Sequence, residues 1–255
     1  MTNQPTIVTY EMGMGSTPLP AWTDDGTAIN FCGKPDPAVS RLDINEVPGA
    51  FQLLNVLTDS EADAFVKVTE RLGYHQDSPV SLPHSVRHNE NLNWIVSEQI
   101  DRTIWRRSQP FVPERVFEQQ AMGINARFRF YRYGRGDFFK AHTDGSWTGS
   151  RVINGQLVNN AYPGWHSQYT LLLFLNDDYQ GGRTQFLVSK TDPAKPAIST
   201  EDIQIVSVKT PKGGALCFPH GSHPLHCRHA GETISTGTKY IIRTDILFGD
   251  QHPED

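Results

Sequence analysis

The stretch Arg127–Gly145, RFRFYRYGRGDFFKAHTDG, decides how the rest of the chain is read. Phe128 and Phe130 alternate with Arg127, Arg129, Tyr131 and Tyr133, so the segment has period two. It predicts a strand with one apolar face and one polar-aromatic face. Glycines at 134 and 136 mark a turn, and His142-Thr143-Asp144 follows. In extended backbone a His and an Asp two apart turn toward the same side. One imidazole nitrogen and one carboxylate oxygen facing a common point suit a divalent iron, which then needs a third ligand from elsewhere. A His-x-Asp triplet is common by chance, so the surrounding chain has to carry the reading.

Outward from this stretch the pattern is β-rich. Strands are expected at Gly49–Val56, Tyr169–Leu175, Thr184–Leu187, Gly214–Phe218 and Thr238–Phe248, with turns at Asn176-Asp177-Asp178 and Gly181-Gly182 between them. Thr58-Asp59-Ser60-Glu61 supplies capping residues for a helix over 59–72, with Ala64, Phe65, Val68 and Leu72 at helical spacing and Gly73 as its stop. A second helix is expected over Ser97–Arg107, with Ile100, Ile104 and Trp105 buried and Pro110 and Pro113 ending it. Residues 74–93 are polar and broken by Pro79 and Pro83, which predicts a loop. Residues 1–48 predict an irregular lead-in. Strands preceded by helices, without a βαβ rhythm, predict a mainly β (α+β) jelly roll with helices packed on one sheet. The expected layout is one domain over 49–255, helical at about 58–110, with a jelly-roll core at about 120–248.

The 255 residues carry a net charge of −5 and no basic block, so nothing marks a nucleic-acid footprint. No run approaches the roughly eighteen apolar residues that suggest a membrane span, and the first twenty residues lack a signal-peptide pattern. Three cysteines without regular spacing (Cys32, Cys217, Cys227) argue against a disulfide framework and suit a reducing, cytoplasmic setting. The sequence does not indicate an oligomeric state.

A supply of third ligands stands at His220, His223, His226 and His229. A separate zinc site would call for paired ligand spacings that are absent here, and a loop cluster without metal is the bland alternative. The sequence after His229 favours one ligand plus bystanders. Ten positions on stands Lys239, ahead of the apolar Tyr240-Ile241-Ile242. An oxygen-activating iron enzyme draws two electrons from a bidentate 2-oxo acid, whose far carboxylate needs a buried cation. Lys239 could be that cation, and Arg243, on the same strand face, is its rival.

Four stretches in order resemble the iron(II)- and 2-oxoglutarate-dependent dioxygenases of the prolyl 4-hydroxylase type: Tyr131–Gly145, Ser167–Phe186, Pro211–Phe218 and His229–Phe248. The resemblance covers roughly residues 120–248. It implies His142, Asp144 and His229 as iron ligands, the ten-position spacing to Lys239 selecting His229 over His226. It implies Lys239 at the far carboxylate of 2-oxoglutarate and Tyr133 in hydrogen-bonding reach of that cosubstrate. Thr170 and Leu173 match positions lining its pocket, though pleating lets only one of them face inward. Arg183 stands in the Gly181-Gly182-Arg183-Thr184 turn where the family often has an acid. Asp144 argues against a halogenase, which has a small residue there.

The implied cofactors are Fe(2+), 2-oxoglutarate and O2, with ascorbate supporting activity. The implied reaction is hydroxylation of a C–H bond, with a peptidyl-proline as the family default and a free amino acid or other small metabolite as the alternative. A non-catalytic, cupin-like metal-binding jelly roll is the reading from another class; it has no need of Lys239 and Tyr133 around a 2-oxo acid. On the substrate side, Tyr131, Arg129 and Arg127 share the inward face, and Arg129 is the candidate for a substrate carboxylate or carbonyl. An arginine paired with an acid is the structural alternative. The segment 84–91 resembles a mobile loop that covers substrate, with Arg87 and Asn89 as contacts. The insert Ser146–Trp165, with Trp147, Arg151 and Trp165, is expected to shape the entrance.

Overall fold

The computed structural model describes residues 4–13, 17–31, 36–79, 82–195 and 199–250; Cys32 lies outside them. In chain order the strands are β1 (Thr6–Met12), β2 (Pro18–Thr23), β3 (Ser40–Asp43), β4 (Phe51–Leu54), β5 (Arg87–His88), β6 (Glu90–Ile95), β7 (Arg115–Val116), β8 (Gln119–Ile124), β9 (Arg127–Tyr133) and β10 (Phe138–Thr143). They continue with β11 (Arg151–Ile153), β12 (Gln156–Val158), β13 (His166–Phe174), β14 (Gln180–Gly181), β15 (Thr184–Ser189), β16 (Ile203–Val208), β17 (Ala215–Pro219), β18 (Arg228–Gly231), β19 (Ile234–Thr236) and β20 (Lys239–Gly249). Helices α1 (Asp59–Leu72) and α2 (Glu98–Ser108) precede most of the sheet.

Two sheets face each other. The major sheet runs β1-β2-β6-β9-β20-β13-β17-β4-β3, with β8 pairing β20; the minor sheet runs β16-β15-β18-β10-β5. The mainly β jelly roll with helices on one sheet is therefore what the chain builds, and the period-two reading of β9 explains its layering. Phe128 and Phe130 point outward into a core with Phe65 of α1, Ile100 and Ile104 of α2, and Trp94 of β6. Tyr131 and Tyr133 point inward with Phe174, Phe186, Phe218 and Ile241, between the sheets. The helical layer covers one face of the major sheet, and the site sits on the other.

α1 begins as its sequence predicts. Thr58 accepts from the Glu61 amide, and Glu61 returns a bond to the Thr58 amide, closing a capping box. Glu61 also receives two hydrogen bonds from Arg107 of α2, at 2.8 and 3.0 Å, in a buried ion pair that fixes the helices against each other.

Two expectations are corrected. The segment 74–93 is not a loop throughout: Glu90–Ile95 is an interior strand, parallel to β2 and antiparallel to β9, and Arg87–His88 joins β10 in the minor sheet. Its polar residues misled the reading because Asn91 and Asn93 face the cleft while Leu92 and Trp94 enter the core. The lead-in is also more ordered than expected. β1 and β2 form an antiparallel hairpin that extends the major sheet, and β3 pairs β4 at the opposite edge.

Candidate active site

His142 and His229 lie opposite each other across the β10–β18 ladder, which shifts register between Phe139 and His142. Asp144 follows two residues after His142. The ligand atoms of the three side chains lie within 4.8 Å of one another. His142 Nε2 stands 3.6 Å from Asp144 Oδ1, and His229 Nε2 stands 3.7 Å from Oδ2. The remaining ring nitrogens are occupied. His142 Nδ1 donates to the Lys140 carbonyl at 2.8 Å, and His229 Nδ1 to that of Cys227 at 3.4 Å. Those bonds leave each Nε2 lone pair free toward the carboxylate, which is the state a metal ligand requires. Burial, with His142 nearby, pushes His229 down to about 3 and keeps it neutral. Phe139 stacks on His142 with ring centres 3.6 Å apart, and Phe218 packs on His229 at 4.5 Å, fixing both rings.

Asp144 is held from behind. Thr170 Oγ1 donates to Asp144 Oδ2 at 2.7 Å. The hydroxyl has one proton, so at its other contact it accepts from His220 Nδ1, also at 2.7 Å. His220 Nε2 then accepts from the Ser167 hydroxyl at 2.8 Å, and Ser167 accepts from the Trp147 amide at 2.9 Å. Every proton in this chain has one place to be, and burial lowers His220, keeping it neutral. Burial works to raise Asp144, but Arg243, His229 and His142 outweigh it and hold the carboxyl well below the usual range. Oδ2 is engaged by Thr170, which leaves Oδ1 to serve as a single oxygen ligand.

At the other end of a cavity of about 290 Å³ lies Lys239, 4% exposed. Its Nζ donates to the Gly182 carbonyl at 2.5 Å and is surrounded by the rings of Tyr133, Phe174 and Tyr179 at 5.1–5.8 Å. Among the described residues no carboxylate comes within ion-pair distance of it. Desolvation therefore lowers its ammonium to about 7, with Glu232 opposing only weakly. Gly181 and Gly182 carry φ of 75° and 66°, and a Cβ on Gly182 would meet Ile234 Cδ1 at 2.4 Å. The double glycine is thus what lets the backbone turn here against Ile234 and Tyr179.

Tyr133, Tyr131, Leu172 and Ile241 line the same cavity. Four expected residues sit elsewhere than the sequence suggested. Arg243 is no cation at the far end: its Nε lies 3.4 Å from Asp144 Oδ2 and its Nη2 3.2 Å from Asp245. The Asp144 contact has ion-pair distance but not hydrogen-bond geometry, since Arg243 Nε remains without a hydrogen-bond partner. Thr170 supports Asp144 rather than lining the cosubstrate cavity. Leu173 points into the helical core, and its neighbour Leu172 takes the inward place. Asn89 opens onto a separate surface cavity with His84 and His88.

Arg87, Arg129, Tyr131 and Trp147 border both this cavity and a second one. Arg129 lies 4.6 Å over the Trp147 ring and donates to Asp245 Oδ2 at 3.3 Å, so both readings of this arginine describe it. Arg87 donates to Ser78 at 2.6 Å. The insert Ser146–Trp165 forms the β11–β12 hairpin, with Arg151 bonded to Asp101 of α2 and Trp165 stacked on Tyr162. Of its aromatic residues, Trp147 alone reaches the cavities. Asp245, fully buried between Arg129 and Arg243, was missed. Its period-two position after Arg243 on an inward face was the available signal.

Residues 128–244 match the family model of the 2OG-Fe(II) oxygenase superfamily. That match, together with the jelly roll and the His142–Asp144–His229 cluster, supports a 2OG-Fe(II) dioxygenase. No curated protein matches it. Among solved structures it is similar to a prolyl hydroxylase from Trichoplax adhaerens, in complex with a hypoxia inducible factor peptide fragment. That likeness has a TM-score of 0.52 at 15% identity, over 80% of this chain and 84% of the other. It is also similar to a Pseudomonas putida prolyl-4-hydroxylase, with a TM-score of 0.50 at 12% identity, over 78% and 92%. At these identities the likeness is one of fold.

Proposed function

We propose that the chain hydroxylates a C–H bond of an organic substrate, with 2-oxoglutarate as cosubstrate. The carrying observation is the pairing of two features at opposite ends of one cavity: a His–Asp–His cluster, whose Asp144 and His229 lie 85 residues apart in sequence, and a buried lysine with no carboxylate at ion-pair distance among the described residues. His142, Asp144 and His229 would hold Fe(2+). Bound there, the iron supplies the chemistry in which O2 gives one oxygen atom to the C–H bond and one to 2-oxoglutarate, leaving alcohol, succinate and CO2. Lys239 would neutralise the far carboxylate, and Tyr133 shapes the wall against which the cosubstrate lies. Thr170 and His220 keep Asp144 oriented, and the aromatic wall excludes water. A plain metal-binding jelly roll has no use for Lys239, which weighs against the cupin-like reading.

The peptidyl-proline substrate is supported only by the family resemblance. The small-metabolite reading has a specific observation in its favour, the arginine-lined second cavity. The free thiols of Cys217 and Cys227 support a reducing, cytoplasmic setting, and ascorbate is proposed to sustain activity. The test is purified protein with Fe(II), ascorbate and 2-oxoglutarate: slow succinate release is expected without added substrate. Its complete absence, or its survival in His142→Ala, overturns the reading.

A further inference from the structure

Beside the iron pocket lies a second cavity of about 250 Å³, smaller than the roughly 300–1,000 Å³ that drug-sized ligands occupy. It is formed by the inward polar face of β9 and β6. Arg127 and Arg129 come from β9, and Asn91 and Asn93 from β6. The two strands pair so that Asn93 stands opposite Arg129 and Asn91 opposite Tyr131.

Two of these residues have capacity to spare. Arg127 is satisfied: it pairs with Glu11 at 2.8 Å and donates to Asn159 Oδ1 at 2.8 Å. Arg129 is not. Its one hydrogen bond among the described residues is from Nη1 to Asp245, a carboxylate it shares with Arg243. Two buried guanidinium groups therefore divide Asp245 between them, and Arg243 turns its other edge to Asp144. Burial, with Arg243 next, lowers Arg129, as expected for a cation short of negative charge. Asn91 is 5% exposed, and with Nδ2 turned to the Asn89 carbonyl, its Oδ1 has no hydrogen-bond partner. A buried acceptor left in this way costs about 1–3 kcal/mol, which a ligand donor would recover.

We propose that this cavity is the substrate compartment and that it takes a small carboxylic acid also bearing an N–H or O–H donor, a free amino acid being the simplest. The carboxylate neutralises Arg129 and the donor meets Asn91 Oδ1. Diagonal partners on paired strands stand roughly 7–8 Å apart, a span that one short molecule bridges. The remainder of the substrate passes Tyr131 and Trp147, which border both cavities, toward His142 and Asp144. A prolyl residue within a peptide brings an amide carbonyl to Arg129, which accepts a hydrogen bond but leaves the buried charge unbalanced. The inference rests on the hydroxylase reading above for what happens to the bound acid, but not for its binding.

The test uses the full chain, titrated calorimetrically without metal against free L-amino acids, the corresponding amino-acid amides, and a proline peptide blocked at both ends. Succinate release is followed in parallel with Fe(II) and 2-oxoglutarate. At least one free acid is expected to bind on the order of 30-fold more tightly than its amide and to accelerate succinate release. Arg129→Gln should bring the acid-to-amide ratio close to one, and Arg129→Lys should keep most of it. The proposal is overturned if wild-type protein separates acid from amide by less than about threefold, if the blocked peptide outbinds every free acid, or if the ratio survives in Arg129→Gln. It is overturned equally if no free acid binds while substrate-free succinate release proceeds. Failure of that substrate-free release would instead strike the hydroxylase reading. Should Arg129→Gln not fold, the wild-type comparison and Arg129→Lys decide the matter.

Discussion

An ammonium lowered by burial to about 7, as at Lys239, couples cosubstrate binding to pH. A 2-oxoglutarate carboxylate held at Lys239, as proposed, would favour the charged lysine and so raise its pKa in the complex. Below about pH 7 the free protein already carries the charge, and affinity is at its maximum. As pH rises above 7, charging the lysine becomes part of the binding event. The Kd then climbs, approaching tenfold per pH unit, until the pKa of the complex is passed. A titration of 2-oxoglutarate binding from pH 6 to 9 should show this slope. Lys239→Ala should abolish it, weakening 2-oxoglutarate on the order of 100-fold while metal binding is largely kept; equal loss of both would refute the assignment. Thr170→Val removes the hydroxyl between Asp144 and His220. It should weaken Mn(II) or Fe(II) binding by about 10-fold or more, measured by competition with a chelator, because Asp144 loses its orientation.

Among the elements, α1 and α2 stand on the face of the major sheet opposite the site, and one buried ion pair joins them beside their shared apolar core. Glu61 is 1% exposed and Arg107 5%. Arg107 also donates to the Val56 carbonyl just ahead of the α1 cap. Arg107→Leu leaves the Glu61 carboxylate buried without its cation and should destabilise the fold by about 3–5 kcal/mol in urea denaturation. Thr58→Ala, which removes only the side-chain cap, should cost about 1 kcal/mol by the same measurement. The helices were legible because a cap, an apolar spacing and a stop occur together in local sequence. β6 was not, because its polar positions serve a cavity: alternation with Leu92 and Trp94 was present, but prolines at 79 and 83 and the surrounding polarity masked it.

For the whole molecule, the two cores owe nothing to a metal. One joins the helices to the outer face of the major sheet, the other lies between the sheets, and His142, Asp144 and His229 belong to neither. The metal-free protein should therefore be folded, with far-UV circular dichroism unchanged by EDTA. Metal together with 2-oxoglutarate should raise Tm by mass action, at about 2–4 °C per kcal/mol of binding stabilisation for a chain of this size. Unfolding on EDTA addition would show that the site is structural.

The sequence by itself determined the layering of β9, the two helices, the His-x-Asp pair and the lysine ten places after His229. Each is a local pattern or a fixed spacing, and local backbone geometry converts such patterns directly into faces and directions. Only the tertiary structure decided which cation stands free and which is committed. Lys239 and Arg243 share one strand face, but Gly182 and three aromatic rings enclose the first while Asp144 and Asp245 neutralise the second. Those partners come from strands far apart in the chain, and charge balance in a buried site is a sum over neighbours that only the fold brings together.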